Sequence, residues 1–313
     1  MKVYRSLTEL REYKDSVVTV GNFDGVHSGH LNIIERVVHK ARKCNCRSVI
    51  ITFSPHPQIV KSKGESSFSL LTPIEEKIRF LKNTGIDILL VLPFDKNLSR
   101  MKAEDFIVKI IKDKIGAKYI IIGFNHSFGN QRSGDIKLLQ QLSDDFDFAV
   151  ELIEPHKVDE IIVSSTKIRE LLNKGNIKLA NKMLGRYYTL KGKVIDGKKF
   201  GQHIGFPTAN IIIENERKLI PQDGVYVALA SDNNLKREGT VYIGKRPTVG
   251  GKKRMIEVYL HDYSGDLYGH LLQVEFLDFI RKESKFCSIE ELKKSIKNDI
   301  DITKNILSIS RRQ

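Results

Sequence analysis

The chain has 313 residues, of which 41% are hydrophobic and 29% charged, and its formal net charge is +14. The hydrophobic fraction is that of an ordinary globular protein, and the length is enough for two domains with a core each. No run of about 18 apolar residues is present and the start lacks the apolar stretch of a secretion signal, so neither a membrane-spanning nor a secreted protein is expected.

The positive charge is spread along the chain and interleaved with carboxylates, without a basic tail. A solvated basic surface is the simplest interpretation; an anionic small-molecule substrate is compatible with it, and no specific nucleic-acid partner is expected. The three cysteines, Cys44, Cys46 and Cys287, provide neither a disulfide framework nor the usual spacing of a zinc site. We therefore expect a cytoplasmic protein in a reducing setting.

Strands and helices alternate from the N-terminus to about residue 185. Ser16 to Val20 is a β-branched run of strand length, and from Leu31 the apolar residues recur at helical spacing. Another helix is expected to follow Thr72, predicted as its N-cap, with Glu75 completing a capping box. The other elements are strands at 47–53, 86–92, 119–123 and 148–153 and helices at 102–115 and 135–142. This alternation predicts a parallel sheet covered by helices, with ligands beyond the carboxyl ends of its strands.

Residues 21–30, G-N-F-D-G-V-H-S-G-H, join the first of these strands to its helix. The glycines allow a tight turn and close approach of a ligand, and the unpaired N–H groups of the helix's first turn favour an anion. His27 and His30, three residues apart, can both face one phosphate. For an isolated H-x-G-H, surface histidines in a glycine-rich turn would be the better interpretation. The whole ten-residue context reverses that preference.

Three further segments are expected to follow strands of the same sheet. In residues 53–57, F-S-P-H-P, two prolines fix a rigid exit, and His56 is either a ligand or a turn residue. Residues 123–129 read G-F-N-H-S-F-G, and residues 164–169, S-S-T-K-I-R, open a helix. The hydroxyls and basic groups of that helix start could hold a triphosphate, although alone they would indicate an ordinary N-cap beside two solvated basic residues.

These four segments, in this order, resemble those of prokaryotic FAD synthetases, the bifunctional riboflavin kinase/FMN adenylyltransferases. The H-x-G-H motif itself resembles the signature of the nucleotidylyltransferase superfamily, and the match covers the first domain almost end to end. His126 and Ser127 depart from the family's pattern in the third-strand loop. The resemblance implies in-line attack of an FMN phosphate oxygen on the α-phosphorus of ATP, with pyrophosphate leaving.

Beyond residue 185 the pattern changes to short strands separated by Gly, Asp and Asn turns, at 189–195, 209–213, 225–230, 240–243, 256–260 and 271–276. Several short strands without intervening helices favour a small closed antiparallel barrel. A final helix opens with the capping box S-I-E-E at 288–291 and is expected to face the barrel through Leu292, Ile296, Ile300 and Leu307. The predicted fold class is therefore α/β followed by β, with a domain boundary at 184/185.

Residues 197–210, G-K-K-F-G-Q-H-I-G-F-P-T-A-N, combine three glycines at intervals of four with P-T-A-N. The glycines permit a flap whose backbone can approach phosphates. Thr208 and Asn210 alternate onto one side of the next strand, where a hydroxyl and an amide carbonyl could share one Mg²⁺. The glycines alone would rather indicate a hairpin with outward polar residues.

The P-T-A-N run resembles the metal and nucleotide site of riboflavin kinases. Other segments agree with that family, at 221–227, 243–248, 256–260, 265–269 and 279–286, whereas Gln202 departs from the arginine of many members. The resemblance implies that Glu257 is the general base for the riboflavin 5′-hydroxyl. Spacing alone would make Glu257 a strand-surface glutamate paired with a lysine.

Together the resemblances imply a two-step enzyme, with a Rossmann-like FMN adenylyltransferase domain at 1–184 and a riboflavin kinase barrel with a C-terminal helix at 185–313. ATP is then the co-substrate of both steps, FMN and FAD are substrate and product, Mg²⁺ is the cofactor, and the chain is a monomer or weak homo-oligomer. One alternative is a paralogue that keeps a single activity. Another is a flavin- or nucleotide-sensing regulator that binds nucleic acid.

Roles for individual residues follow from the same resemblance. The predicted catalytic residues are His27, His30, Asn125, Arg169 and Glu257. The predicted ATP- and phosphate-binding residues are Gly21, Phe23, Gly25, Ser164, Ser165, Thr166, Gly197, Gly201 and Gly205. The predicted flavin-binding residues are Pro55, His56, Asn125, Phe128 and Arg281, and the predicted metal ligands are Thr208 and Asn210.

Overall fold

The computed structural model describes residues 1–10, 14–62, 68–124, 134, 136–197, 200–232, 236–244 and 254–310. The contacts divide the chain into two compact units, Met1–Ser165 and Thr166–Gln313. The division between Ser165 and Thr166 is based on contacts within each unit. The domain boundary predicted from the sequence, at 184/185, stays a prediction.

Six parallel strands form the sheet of the first unit. They are β1 Lys2–Tyr4, β2 Ser16–Val20, β3 Arg47–Ser54, β4 Ile88–Pro93, β5 Ala117–Gly123 and β6 Ala149–Ile153, in the spatial order β1-β4-β3-β2-β5-β6. All neighbouring pairs are parallel, as predicted. A separate antiparallel pair joins β7 Lys157–Val158 to β8 Ile161–Ile162. The strand order reverses between β2 and β5, which places a ligand crevice at the carboxyl end of β2.

Helices cover both faces of this sheet. Those described are α1 Ser28–Lys43, α2 Pro57–Lys61, α3 Ile74–Lys82, α4 Lys96–Arg100, α5 Ala103–Asp105, a π-helix Phe106–Lys114 and α6 Ile136–Phe146. Along β2 and β3 successive side chains alternate between two buried clusters, so that Val18 and Ile51 belong to one and Val17 and Ile50 to the other. Burial on both faces explains why these strands are mostly apolar, with only small hydroxyl side chains between the apolar ones.

The predicted capping box of α3 is wrong. The N-cap of α3 is Pro73, which makes no side-chain cap hydrogen bond. The N–H of Thr72 donates to the carboxylate of Asp24 at 2.9 Å, so that Thr72 is fixed by the loop after β2 rather than by the helix. A tertiary hydrogen bond has thus displaced the local cap.

Six antiparallel strands of the second unit close into a barrel, as predicted. They are β9 Tyr188–Ile195, β10 Ala209–Ile213, β11 Gly224–Ser231, β12 Lys236–Gly244, β13 Met255–Leu260 and β14 Leu271–Arg281, in the order β10-β13-β12-β11-β14-β9. The described helices of this unit are α7 Ser165–Asn173, which begins at the last residue of the first unit, α8 Ile177–Leu184, α9 Phe200–His203 and α10 Ile289–Ser310. The amide of Asn181 in α8 donates to the Phe276 carbonyl at 2.8 Å, which fixes α8 to β14.

The last helix, α10, packs on the outer face of the barrel. Leu307 contacts the buried Val227 and Leu277, and the hydroxyls of Thr240 and Thr303 are 2.9 Å apart. Ser288 caps the helix as predicted, because its Oγ accepts the N–H of Glu291 at 3.1 Å. In the predicted apolar stripe, Ile300 and Leu307 are buried and Leu292 and Ile296 are half-buried. The stripe is therefore the face that covers the barrel.

Candidate active sites

The loop of residues 21–30 follows β2 and contains backbone angles that most residues avoid. The angle φ is +46° at Phe23, +91° at Gly25 and +39° at Val26. Glycine adopts such angles freely, but for other residues each costs about 1–3 kcal/mol, and a β-branched side chain tolerates them least. The loop keeps this shape only because its surroundings fix it.

Both predicted histidines lie at the start of α1. His27 is the N-cap, is 5% exposed, and accepts at Nδ1 a hydrogen bond from the His30 N–H at 3.2 Å. Since Nδ1 is an acceptor, the ring proton of neutral His27 is on Nε2. The two rings stack with centroids 3.5 Å apart, and Phe23 meets His30 edge-on at 5.1 Å. Two imidazoles thus meet at a helix N-terminus, where the helix dipole favours an anion.

Asp24 anchors this loop to segments that are distant in sequence. Its carboxylate is 2% exposed and accepts the N–H groups of Leu71 at 3.1 Å and Thr72 at 2.9 Å. Its backbone carbonyl accepts the hydroxyl of Ser165 at 2.7 Å. Ser165 therefore joins the predicted helix start to the histidine loop through a direct hydrogen bond.

The remaining predicted phosphate ligands lie along the first turns of α7. Ser164 immediately precedes the helix and is half-buried, Thr166 is exposed and Arg169 is half-buried. Lys167 forms an ion pair with Glu170 at 3.1 Å. Helix α7 therefore presents hydroxyls before and within its first turn, with basic groups close behind.

His56 follows a cis Ser54–Pro55 peptide bond and is the N-cap of α2. Its Nδ1 accepts the N–H of Gln58 at 3.2 Å, and its ring stacks on Phe68 with centroids 4.6 Å apart. This placement is that of a turn residue, one of the two alternatives open from the sequence. Two other predicted residues of this unit, Asn125 and Phe128, lie outside the described residues, as do His126 and Ser127.

The predicted kinase residues come together on neighbouring strands of the barrel. Asn210 of β10 lies opposite Glu257 of β13 in register, and the hydroxyl of Thr208 donates to Oε2 of Glu257 at 3.3 Å. Glu257 is 6% exposed. Oδ1 of Asn210 is buried and has no hydrogen-bond partner within the part of the chain that the structure describes. A buried oxygen of this kind is suited to a cation.

The glycines of the predicted flap allow close approach of backbone to neighbouring groups. A Cβ on Gly197 would lie 2.1 Å from Nδ2 of Asn210, and a Cβ on Gly201 would lie 2.3 Å from the carbonyl oxygen of Phe206. Gly205 has a φ of +89°, which glycine adopts without strain. Side chains at these positions would therefore displace the amide of Asn210 or distort the flap.

Arg281 is held by a buried carboxylate of α10. Its Nε is 2.9 Å from Oδ1 of Asp299 and its Nη2 is 2.8 Å from Oδ2, a two-point ion pair, and Asp299 is 3% exposed. The guanidinium also lies 5.6 Å from the ring of Phe286. This ion pair fastens α10 to β14.

Family models match both parts of the chain, a FAD synthetase model over residues 9–167 and a riboflavin kinase model over residues 184–307. A bifunctional riboflavin kinase/FMN adenylyltransferase of Buchnera aphidicola is 35% identical, with 99% of this chain and 100% of that protein covered. The chain belongs to this bifunctional family. The family's Escherichia coli K12 protein is 33% identical, with 96% of each chain covered.

A solved structure of similar fold is described as a macrolide-efflux protein from Streptococcus pneumoniae. It superposes on this riboflavin kinase/FMN adenylyltransferase family member with a TM-score of 0.87 and 31% identity, covering 97% of this chain and 98% of its own. That description differs from the names of the curated relatives. Among the residues described here, no helix combines the length and apolar character needed to cross a bilayer.

Two polar residues near the predicted sites of this family member were not predicted from the sequence. Lys77 of α3 is buried and donates to Asn22 and Thr52, beside the histidine loop. Tyr242 of β12 lies opposite Glu257 in register and donates its hydroxyl to Glu283. In the sequence, Lys77 looks like an exposed lysine of an amphipathic helix, so no pattern indicated that it is buried. The period-two alternation of β12 could have placed Tyr242 on the same barrel face as Glu257.

Burial is the first cause of the altered acidity of both groups. It lowers the pKa of Lys77 from 10.5 to about 8, against the attraction of Asp24. It also raises the pKa of Tyr242 well above its usual 10, with further contributions from the hydrogen bond to Glu283 and from nearby carboxylates. Both shifts follow the rule that burial disfavours the charged form.

Proposed function

We propose that this family member phosphorylates riboflavin to FMN with ATP in its C-terminal domain, residues 185–313, and transfers the adenylyl group of a further ATP to FMN in its N-terminal domain, residues 1–184, to give FAD and pyrophosphate. The observation that carries the proposal is that predicted residues of each reaction lie together in the structure. His27 and His30 stack in one unit, and Thr208 and Asn210 surround Glu257 in the other. The relatives that match over the full length carry the same pair of activities in their names.

Adenylyl transfer joins two anions, so it depends on positive charge and preorganised donors more than on a covalent nucleophile. We assign His27, which carries its proton on Nε2, and His30 to the charge that develops on the α-phosphate and the pyrophosphate. The N-terminus of α1 adds its backbone donors. The β- and γ-phosphates bind at the start of α7, and the residues assigned to them are Ser164, Ser165, Thr166 and Arg169, with Asn125 as a further positioning group. Gly21, Phe23 and Gly25 shape the loop.

Phosphorylation of riboflavin needs a base for the attacking hydroxyl. Glu257 takes this role in the proposal, because its carboxylate is almost fully buried and is oriented by the hydroxyl of Thr208. The flap glycines, Gly197, Gly201 and Gly205, allow backbone N–H groups to approach the phosphates.

The donor set at the second site fits Mg²⁺. Thr208 and Asn210 offer neutral oxygens, and the buried Oδ1 of Asn210 lacks a hydrogen-bond partner among the described residues. Mg²⁺ prefers oxygen ligands and uses few of them from protein when it binds through substrate phosphates. When bound, it supplies charge neutralisation on the phosphate oxygens. Thr208 would hold it while still donating to Glu257.

We also propose a cytoplasmic location, a monomer or weak homo-oligomer, and a domain boundary at 184/185. The three cysteines are free, which suits a reducing compartment. The match to the FAD synthetase model ends at residue 167 and the match to the riboflavin kinase model begins at residue 184, which supports the boundary. Flavin contacts are proposed for Pro55, His56, Asn125, Phe128 and Arg281.

The direct test is incubation of the purified chain with riboflavin, ATP and Mg²⁺, followed by separation of the flavins over time. We expect FMN to appear first and FAD after it. Assay of each half-reaction, with oxidised and with reduced flavin, identifies a paralogue with one activity. Salt-sensitive nucleic-acid binding without any flavin turnover would instead support the regulator alternative.

The roles of the two histidines are tested with His27→Asn combined with His30→Asn. Asparagine still caps a helix, so α1 is preserved while both imidazoles are lost. FAD formation from FMN is expected to fall by about 10²–10³-fold, as for the loss of a preorganised donor, with riboflavin phosphorylation unchanged. His39→Asn, an exposed histidine on the same helix, is the matched control. FAD formation at the normal rate by the double variant would overturn the assignment.

A further inference from the structure

A buried lysine lies against the histidine loop. The side chain of Lys77, in α3, is 4% exposed, and its Nζ donates to the backbone carbonyl of Asn22 at 2.5 Å and to Oγ1 of Thr52 at 3.2 Å. Oγ1 of Thr52 in turn donates to the same carbonyl at 3.2 Å. One amine thus connects a helix, the loop after β2 and the end of β3.

The Asn22 carbonyl lies directly before the strained part of the loop. Phe23 and Val26 both have positive φ angles, which a loop without support would relax. His27 comes directly after Val26, so any relaxation there moves the N-cap of α1 and the ring that stacks on His30. The loop needs fixed partners near its start, and the ammonium of Lys77 is one of them.

The surroundings of Lys77 determine the pH range in which its charged amine supports the loop. Among the described residues, the titratable group that acts on Lys77 is Asp24, whose buried carboxylate also accepts two backbone N–H groups. The carbonyl of Asn22 and the hydroxyl of Thr52 do not titrate in the accessible range. Burial lowers the pKa of Lys77 to about 8. The amine therefore loses its charge at a pH where an exposed lysine keeps it.

We propose that Lys77 is a positioning residue for adenylyl transfer, which holds the loop of residues 21–30 in its phosphate-binding form through a charge-assisted hydrogen bond to the Asn22 carbonyl. It acts through the loop and not on the reacting atoms. The proposal rests on the adenylyl transfer proposed above for the first unit. Riboflavin phosphorylation, assigned to the second unit, does not depend on Lys77.

A pH profile separates this role from a purely structural one. The protonated amine is the active form, so kcat/KM for ATP in FAD formation is constant below about pH 8 and falls above it with the slope of one proton. The second pKa of a phosphate group lies near 6, so substrate phosphates are fully ionised by about pH 8 and do not cause a fall above it. Riboflavin phosphorylation by the same chain supplies the internal control.

The experiment compares the wild-type chain with Lys77→Met, Lys77→Arg and Lys82→Met from about pH 6.5 to 10. We expect Lys77→Met to lower kcat/KM for ATP in FAD formation by about ten- to a hundredfold, since misplacing a site residue slightly costs this much. Lys77→Arg keeps its charge throughout, so it restores most of the activity and removes the alkaline fall. Lys82 is exposed on the same helix, and its variant behaves as wild type.

The inference alone is overturned if wild-type FAD formation is constant to about pH 9.5, or if Lys77→Met has the wild-type kcat/KM. Absence of FAD formation by the wild type at every pH overturns the proposed function and this inference with it. If Lys77→Met proves to be unfolded by circular dichroism, the wild-type profile and the Lys77→Arg profile decide.

Discussion

The two units position their site residues by different means. In the first unit the histidines follow a loop at the end of a parallel strand, and the loop is fixed by Asp24 and Lys77 through partners far away in sequence. In the second unit, Asn210 and Glu257 lie on adjacent antiparallel strands, and the backbone ladder itself sets their separation.

This difference decides where each site is vulnerable. A loop held by a few buried side chains is disturbed by changes in a helix that never meets the substrate. A site set by strand register is insensitive to such changes, because the ladder is made by backbone groups that any substitution other than proline leaves in place. The adenylyl-transfer site is therefore expected to respond to remote substitutions, and the kinase site to respond mainly to changes in its own side chains.

The largest expected effect is that of Glu257→Gln, which changes the kinase site and leaves the ladder intact. Removal of the base is expected to lower riboflavin phosphorylation by about 10²–10⁴-fold, with FAD formation from supplied FMN unchanged. Separate assays of the two half-reactions measure this. Glu275→Gln, a half-buried glutamate on β14, is the matched control. Equal loss of both activities would contradict the independence of the two sites.

A smaller effect is expected when α10 is loosened from the barrel. Asp299→Asn leaves Arg281 without its buried partner, and loss of one member of such a pair costs about 3 kcal/mol. The temperature at which riboflavin kinase activity is lost should fall by several degrees. The temperature at which adenylyl-transfer activity is lost should not change. Asp301→Asn, on the exposed side of the same helix, should have no effect. The same decrease in both variants would show that the ion pair contributes nothing specific.

The smallest expected effect is an opposite response of the units to alkali. Burial lowers the pKa of Lys77 to about 8. Between about pH 8 and 10.5 the Lys77 amine is therefore protonated in the unfolded chain and neutral in the folded one. The free energy of unfolding of the first unit then rises with pH, by up to about 1.4 kcal/mol per pH unit. The pKa values of Tyr226 and Tyr242 are raised by burial, so their contribution to the second unit is complete below pH 10 and is lost above it.

Urea unfolding at several pH values, followed through each activity, measures these slopes. Lys77→Met should remove the rise in the first unit, and Tyr242→Phe should reduce the fall in the second. Parallel slopes in the two units would contradict the assignment of the titrating groups.

Local pattern predicted most of the fold but only part of each site. The order of strands and helices was enough to predict the parallel sheet and the barrel. Strands buried on both faces are apolar over most of their length, whereas strands buried on one face alternate apolar and polar residues. Ser288 caps α10 through a local contact, as predicted, but the carboxylate of Glu291 accepts the N–H of Cys287 rather than that of Ser288, so the capping box is only half formed. The capping box predicted at Thr72 failed because Asp24, 48 residues away, takes the N–H of Thr72.

The same reason limits prediction of the sites. His27 and His30 are three residues apart, so their contact is local and was predicted from spacing. Lys77 and Asn22 are 55 residues apart, and nothing in either segment indicates the other. Asn210 and Glu257 were singled out by resemblance, but their pairing depends on strand register that the sequence does not specify.

Closure of the barrel also bears on how this chain associates when it is stressed. A closed barrel has no unpaired strand edge, whereas the six-stranded parallel sheet has two, formed by its outer strands β1 and β6. Strand β1 has three residues, and β6 carries Glu151 at its centre, paired with Arg36 of α1. A charge in the middle of an edge strand opposes the addition of another strand. Neutralising Glu151 would remove that protection from the longer of the two edges.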